Sequence, residues 1–186
     1  AVNSRSDDSV LVEQVQAGTL PPVEERLPLE PLVLEPVEEI GTYGGTWNYM
    51  AAGSGIYGWN MVNYVENFAK WNRDVSGHRP NLLSAWEYNE DASEITLHWR
   101  EGMRWSDGEP FDAESIRYWY DMELTNETLT PAINARWKAG GALMELAYPD
   151  AYTVTVRFAD ANPLFVYTAS QYAVWSPGQY LAQFHG

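Results

Sequence analysis

From about residue 41 onward the chain alternates apolar and polar positions in short blocks. Residues 45–51 put Trp47 and Tyr49 on one side of a predicted strand that a glycine-rich turn ends. A second strand is expected over 68–73, followed by Asp74-Val75-Ser76-Gly77 as a turn. Trp86 and Tyr88 come next, then Ile95, Leu97 and Trp99 on one face with Thr96 and His98 on the other, the pattern of antiparallel strands buried on one side. Residues 152–158 again alternate strictly, with Val154, Val156 and Phe158 opposed to Thr153, Thr155 and Arg157. One segment changes period: Asp112 is placed as an N-cap, Ala113 and Glu114 open the first turn, and Ile116, Trp119, Tyr120 and Leu124 fall on one helical face. Strands and helices in this order imply a mixed α+β fold, and no internal repeat is visible.

The first forty residues read differently. Pro21, Pro22, Pro28, Pro31 and Pro36 recur among Glu24, Glu25, Glu30, Glu35, Glu38 and Glu39, as in an extended, polyproline-like arm. Before it, residues 10–17 predict one short helix with Leu11 and Val15 on a common face, closed by Gly18. Leu27, Leu29, Leu32, Val33 and Leu34 favour an arm that packs on the domain over a free spacer.

Composition narrows the function. With 186 residues, 45% of them hydrophobic, the chain can bury an ordinary core. A formal charge of −15 excludes the Lys/Arg patch that nucleic acid or an anionic membrane surface would require. Nine Trp and 12 Tyr against 5 Phe favour rings with a polar edge, suited to wet grooves as well as cores. The absence of Cys removes disulfides, thiolate metal sites and thiol nucleophiles, and leaves the compartment open. No apolar stretch is long enough to span a bilayer.

Gly53-Ser54-Gly55-Ile56-Tyr57-Gly58 spells GxGxxG after a predicted strand, with Asp74 roughly twenty residues on. A nucleotide-dependent enzyme built on this loop is the alternative from another functional class. The context opposes it: the strand is too polar for the centre of a parallel sheet, and Asp74 sits in a turn. His78, His98 and His185 lack metal-ligand spacing, so neither metal nor cofactor is expected. No nucleophile motif and no singled-out carboxylate pair argues for catalysis. Asn126-Glu127-Thr128 is a glycosylation sequon of the kind that arises by chance.

The specific text begins at Leu83-Ser84-Ala85-Trp86-Glu87 and continues through Leu97-His98-Trp99-Arg100-Glu101-Gly102-Met103-Arg104-Trp105-Ser106-Asp107-Gly108-Glu109-Pro110-Phe111-Asp112-Ala113-Glu114. It closely resembles the family 5 extracellular solute-binding proteins of bacterial ABC importers, the oligopeptide-, dipeptide- and nickel-binding type. Residues 149–158, Asn162-Pro163-Leu164-Phe165 and residues 176–181 resemble further family segments, so the similarity runs from about Gly41 to the end. By themselves the quoted residues make a scaffold corner of turns and a capped helix, and structural markers explain them fully.

The resemblance implies the first lobe of a two-lobed, periplasmic-binding-protein-like type II fold, beginning after the 1–40 arm. Within 41–186, it implies a hinge-side mixed sheet from 41–60 and 148–186 and a packed subdomain from 61–147, with the second lobe outside this chain. It further implies a non-enzymatic, monomeric protein outside the cytoplasm, in the periplasm or lipid-anchored at the outer face of the membrane. Such a protein captures a small-molecule solute, oligopeptide first and oligosaccharide as the alternative, and delivers it to an ABC permease. The loop after the first strand would border the cleft, through Gly53, Ser54, Gly55, Ile56, Tyr57, Trp59 and Asn60, with Ala132 and Trp175 as further candidates. Tyr57 and Trp59 are equally readable as core residues.

Overall fold

The computed structural model describes residues 9–39 and 66–184, with side chains from residue 11. The expected strand over 45–51 and the glycine loop lie outside the described residues.

Helix α1, Ser9–Gln16, forms where expected and ends at Gly18, whose φ of 71° is the left-handed conformation that a glycine adopts without strain. The arm that follows includes one short helix, α2, Val23–Arg26. The arm does reach the domain, through backbone: the Leu29 N–H donates to the Glu101 carbonyl at 3.0 Å, and Arg100 Nη1 donates to the Glu30 carbonyl at 2.9 Å. Of the five apolar residues expected to pack, Leu32 is half-buried while Leu27, Leu29, Val33 and Leu34 are exposed.

Strands β1, Ala69–Trp71, and β2, His78–Pro80, pair as a hairpin. Strands β3, Leu83–Tyr88, and β4, Glu94–Trp99, make a second. The two hairpin turns use the same sequence, Asn-x-Asp-x-Ser, at 72–76 and at 89–93. In both, Asp Oδ1 (Asp74, Asp91) accepts from the Ser N–H at 3.0 Å and the Ser hydroxyl at 2.6 Å, while the Asn Nδ2 donates to that hydroxyl at 3.1 Å. A five-residue repeat is thus present where no repeat was visible. It is an Asx-turn device, too short to register as periodicity.

The main sheet is antiparallel throughout, in the order β3-β4-β8-β7, where β7 is Glu145–Asp150 and β8 is Thr153–Arg157. Register places Ile95 opposite Val156 and Leu97 opposite Val154, so the apolar positions predicted from alternation share one face and are almost fully buried. Thr155, expected on a wet face, is buried too, because its strand is central. Strand β7 crosses position 147/148, so one sheet draws strands from both of the stretches separated there. A minimal hairpin of β5, Lys138–Ala139, and β6, Ala142–Leu143, precedes β7.

Helix α3, Ala113–Tyr118, starts as the sequence predicts: Asp112 Oδ1 accepts from the Glu114 N–H at 2.9 Å. From Trp119 to Leu124 the coil widens into a π-helix, yet Ile116, Trp119 and Leu124 still reach the core. Helix α4, Phe165–Ala169, and helix α5, Gly178–Leu181, complete the described elements with 3₁₀ turns at Ala135–Trp137 and Ala182–Phe184.

Candidate functional site

Between β4 and α3 the chain makes the corner that the sequence singled out. Gly102 and Gly108 take φ of 84° and 91°, conformations that a side chain would strain. Trp105 N–H donates to the Glu109 carbonyl at 2.8 Å, Gly108 N–H to the Trp105 carbonyl at 3.0 Å, and Arg104 Nη1 to the Gly108 carbonyl at 2.7 Å. Trp105 Nε1 donates to Ser115 Oγ at 3.1 Å, and Gln179 Nε2 to Asp107 Oδ2 at 3.1 Å. The corner's polar groups are therefore spent on holding the corner and the C-terminal segment together, as its reading as scaffold requires.

Trp175 stands beside this corner, half-buried. Its ring lies 5.6 Å from Phe68 and 5.9 Å from Phe111, and Phe68 meets Trp99 edge-on at 4.9 Å. Ser176, the next residue, donates its N–H to the Ser115 carbonyl at 3.0 Å, which fixes the segment on α3. Trp175 is thus a rim residue of the core, with part of its ring open to solvent.

Ala132 is exposed, on the loop that leads to the Ala135–Trp137 turn. Asn134 caps that turn through its Oδ1, which accepts from the Arg136 N–H at 3.1 Å and from Arg136 Nε at 3.0 Å. The Arg136 guanidinium carbon then sits 3.7 Å from the centroid of the Tyr172 ring, and Trp137 meets Tyr172 edge-on at 6.1 Å. The loop bearing Ala132 and the turn leading to Trp175, far apart in sequence, are joined by this contact. The sequence offered no signal for Arg136, because a cation–π pair between distant loops leaves no spacing to read.

A second ring cluster lies on the β1–β2 hairpin. Trp71 stacks on His78 at 4.0 Å, and Tyr167 of α4 meets both edge-on, at 5.5 and 5.4 Å. Trp71 remains 48% exposed, a large apolar face in water. Partial burial of His78 holds its pKa below the ordinary histidine range.

A shallow depression of about 210 Å³ is lined by Asp112, Glu114, Arg117, Tyr148 and Asp150. The Tyr148 hydroxyl is buried there without a hydrogen-bond partner among the described residues, and burial with the nearby Asp121 charge pushes its pKa well above the usual phenol value. Arg117 is committed to Glu114. Among the described residues no three His, Cys, Asp or Glu side chains group as metal ligands, and no helix is long and apolar enough to cross a membrane. Gly53, Ser54, Gly55, Ile56, Tyr57, Trp59 and Asn60 lie outside the described residues.

Comparison with known proteins gives a consistent set of relatives. The family model for bacterial extracellular solute-binding proteins, family 5 Middle, matches residues 78–183. The periplasmic alpha-galactoside-binding protein of Rhizobium meliloti (strain 1021) is 30% identical over 194 aligned residues, covering 94% of this chain and 28% of its own. Among solved structures, the oligopeptide-binding protein OppA superposes at TM-score 0.85 with 33% identity, over 99% of this chain and 29% of its own. The periplasmic binding protein MelB of Agrobacterium fabrum C58, in complex with stachyose, superposes at 0.76 with 29% identity, over 100% and 31%. The chain thus spans less than a third of the length of these relatives, all of them binding proteins by name.

Proposed function

Because the chain belongs to the bacterial extracellular solute-binding proteins of family 5, we propose that it forms the first lobe of the substrate-capturing component of an ABC importer. The observation that carries this reading is the superposition of nearly the whole chain on OppA at TM-score 0.85. The chemistry is reversible capture: two lobes close on a solute, the closed form is recognised by a membrane permease, and no bond in the solute is broken. The protein acts outside the cytoplasm, as a monomer, in the periplasm or lipid-anchored at the outer face of the membrane. The proposed cleft wall comprises Gly53, Ser54, Gly55, Ile56, Tyr57, Trp59 and Asn60 with Ala132 and Trp175.

A peptide is the first solute class, in keeping with OppA. The oligosaccharide reading is favoured by two further observations. One is the pair of sugar-binding relatives, named for alpha-galactosides and solved with stachyose. The other is the excess of 9 Trp and 12 Tyr over 5 Phe in the chain, since sugar rings stack on aromatic surface. Isothermal titration of the full-length protein against a peptide panel and an alpha-galactoside panel separates the two. Saturable heat with one panel assigns the class, and silence to both rejects the capture reading. Saturable binding of NAD or ATP in a parallel fluorescence titration would instead support an enzyme.

A further inference from the structure

We propose that Arg136 is an anion receptor for the captured solute, its guanidinium fork taking a carboxylate that the solute carries. The inference rests on the capture reading above. It stands on three features of Arg136 itself.

The first is immobilisation. One face of the guanidinium lies on Tyr172, 3.7 Å from the ring centroid, and Nε donates to Asn134 Oδ1 at 3.0 Å. A side chain with four rotatable bonds is fixed at two points, and its terminal N–H groups have no acceptor among the described residues.

The second is the unspent fork. Among the described residues, Lys70, Arg117 and Arg157 pair with Glu66, Glu114 and Glu94. Arg79, Arg100 and Arg136 are half-buried and pair with no carboxylate among the described residues. Arg100 donates instead to the Asn81 and Glu30 carbonyls, and Arg79 Nη1 is enclosed. Arg136 differs in keeping its terminal N–H groups free of any acceptor among the described residues, so an acceptor from outside can take them.

The third is the support beneath it. Tyr172 is braced edge-on by Trp137, which packs on Trp119 at 5.3 Å and on Phe165 at 6.4 Å, all three of them buried. The fork stands on this aromatic pile, beside a loop on which Ala132 is exposed. A planar fork held this way matches a planar acceptor with two oxygens, which defines a carboxylate better than a lone hydroxyl.

A carboxylate can come from a peptide C-terminus or from a uronic acid at the end of an oligosaccharide. Two matched pairs distinguish the sources: a peptide and its C-terminal amide, and a galacturonate-ended oligosaccharide and its neutral galactoside. Titrated into the full-length protein, the acid member of one pair is expected to bind at least about ten-fold tighter than its neutral partner. In Arg136→Gln that advantage disappears and the two members of the pair bind alike, while an unfolding midpoint close to that of the wild type shows that the variant is folded. Arg136→Lys recovers only part of it, because an ammonium has no fork. Equal affinities within both pairs, or an acid preference that survives Arg136→Gln, overturns the inference and leaves the capture reading standing. Failure of the wild type to bind any of the four overturns both.

Discussion

At both hairpin turns an aspartate carboxylate is fastened to the serine two positions on, and between them sits a residue with positive φ: Val75 at 60° and Ala92 at 57°. For a β-branched residue this is a strained conformation, and Val75 is exposed, so it gains nothing from packing. Val75→Gly is therefore expected to raise stability by about 1 kcal/mol in urea unfolding. The same contact between an aspartate and the N–H two residues later recurs at Asp107, Asp112 and Asp150. Hydrogen bonds to the charged form, from the Ser76 and Ser93 side chains first, hold Asp74 and Asp91 below the ordinary aspartate value, and Gln179 does so for Asp107. Depressed carboxylates add stability above their unfolded pKa of about 3.9, and that stability is lost as pH falls through the lower folded values. Thermal midpoints should drop below about pH 4, and Asp91→Asn should flatten that drop; an unchanged profile would refute the assignment. Gly178 has another kind of constraint, because an added Cβ would lie 2.6 Å from Tyr118 Cδ2. Gly178→Ala should cost about 1–3 kcal/mol, read as a lowered unfolding midpoint.

Among elements, β3, β4 and β8 were legible because each buries one face and alternates accordingly, and α3 because its cap and its apolar stripe agree. The π-helical continuation was not legible, since Trp119 and Leu124 reach the core from either kind of coil. Strand β7 was also missed, for an identifiable reason. It reads Glu-Leu-Ala-Tyr-Pro-Asp, without alternation, and its proline argues against a strand. As the edge of the sheet among the described residues it tolerates both, and its register is broken between Ala147 and Asp150, around Pro149. A proline at an irregular edge keeps another chain from adding a strand there. Pro149→Val should leave the monomer folded and promote concentration-dependent association, measurable by light scattering; no change in association would mean that the edge is protected otherwise. The candidate site was the least legible part. Trp175 is a candidate that rests on the resemblance, whereas the clasp of Arg136 on Tyr172 comes from tertiary packing alone.

At the scale of the whole molecule, four antiparallel strands among the described residues form a sheet whose middle is a long-range contact. Hairpin β3–β4 closes over a turn of five residues, and β7–β8 over an even shorter one, yet β4 pairs with β8 across the entire 100–152 excursion. The Arg157–Glu94 ion pair ties strands across that span. Local hairpins form in microseconds, while pairing across a long loop must wait for the loop's entropy to be overcome. Order of assembly is thus written into the topology: both hairpins are available early, and the β4–β8 seam is the late step. Pulse-labelled hydrogen exchange should protect β3 amides before those that β8 donates to β4, and the reverse order would contradict this topology. Until that seam closes, β4 waits with one edge unpaired, carrying Ile95, Leu97 and Trp99. That interval is when the folding chain is open to misassociation, and a holding chaperone met there would act on this edge.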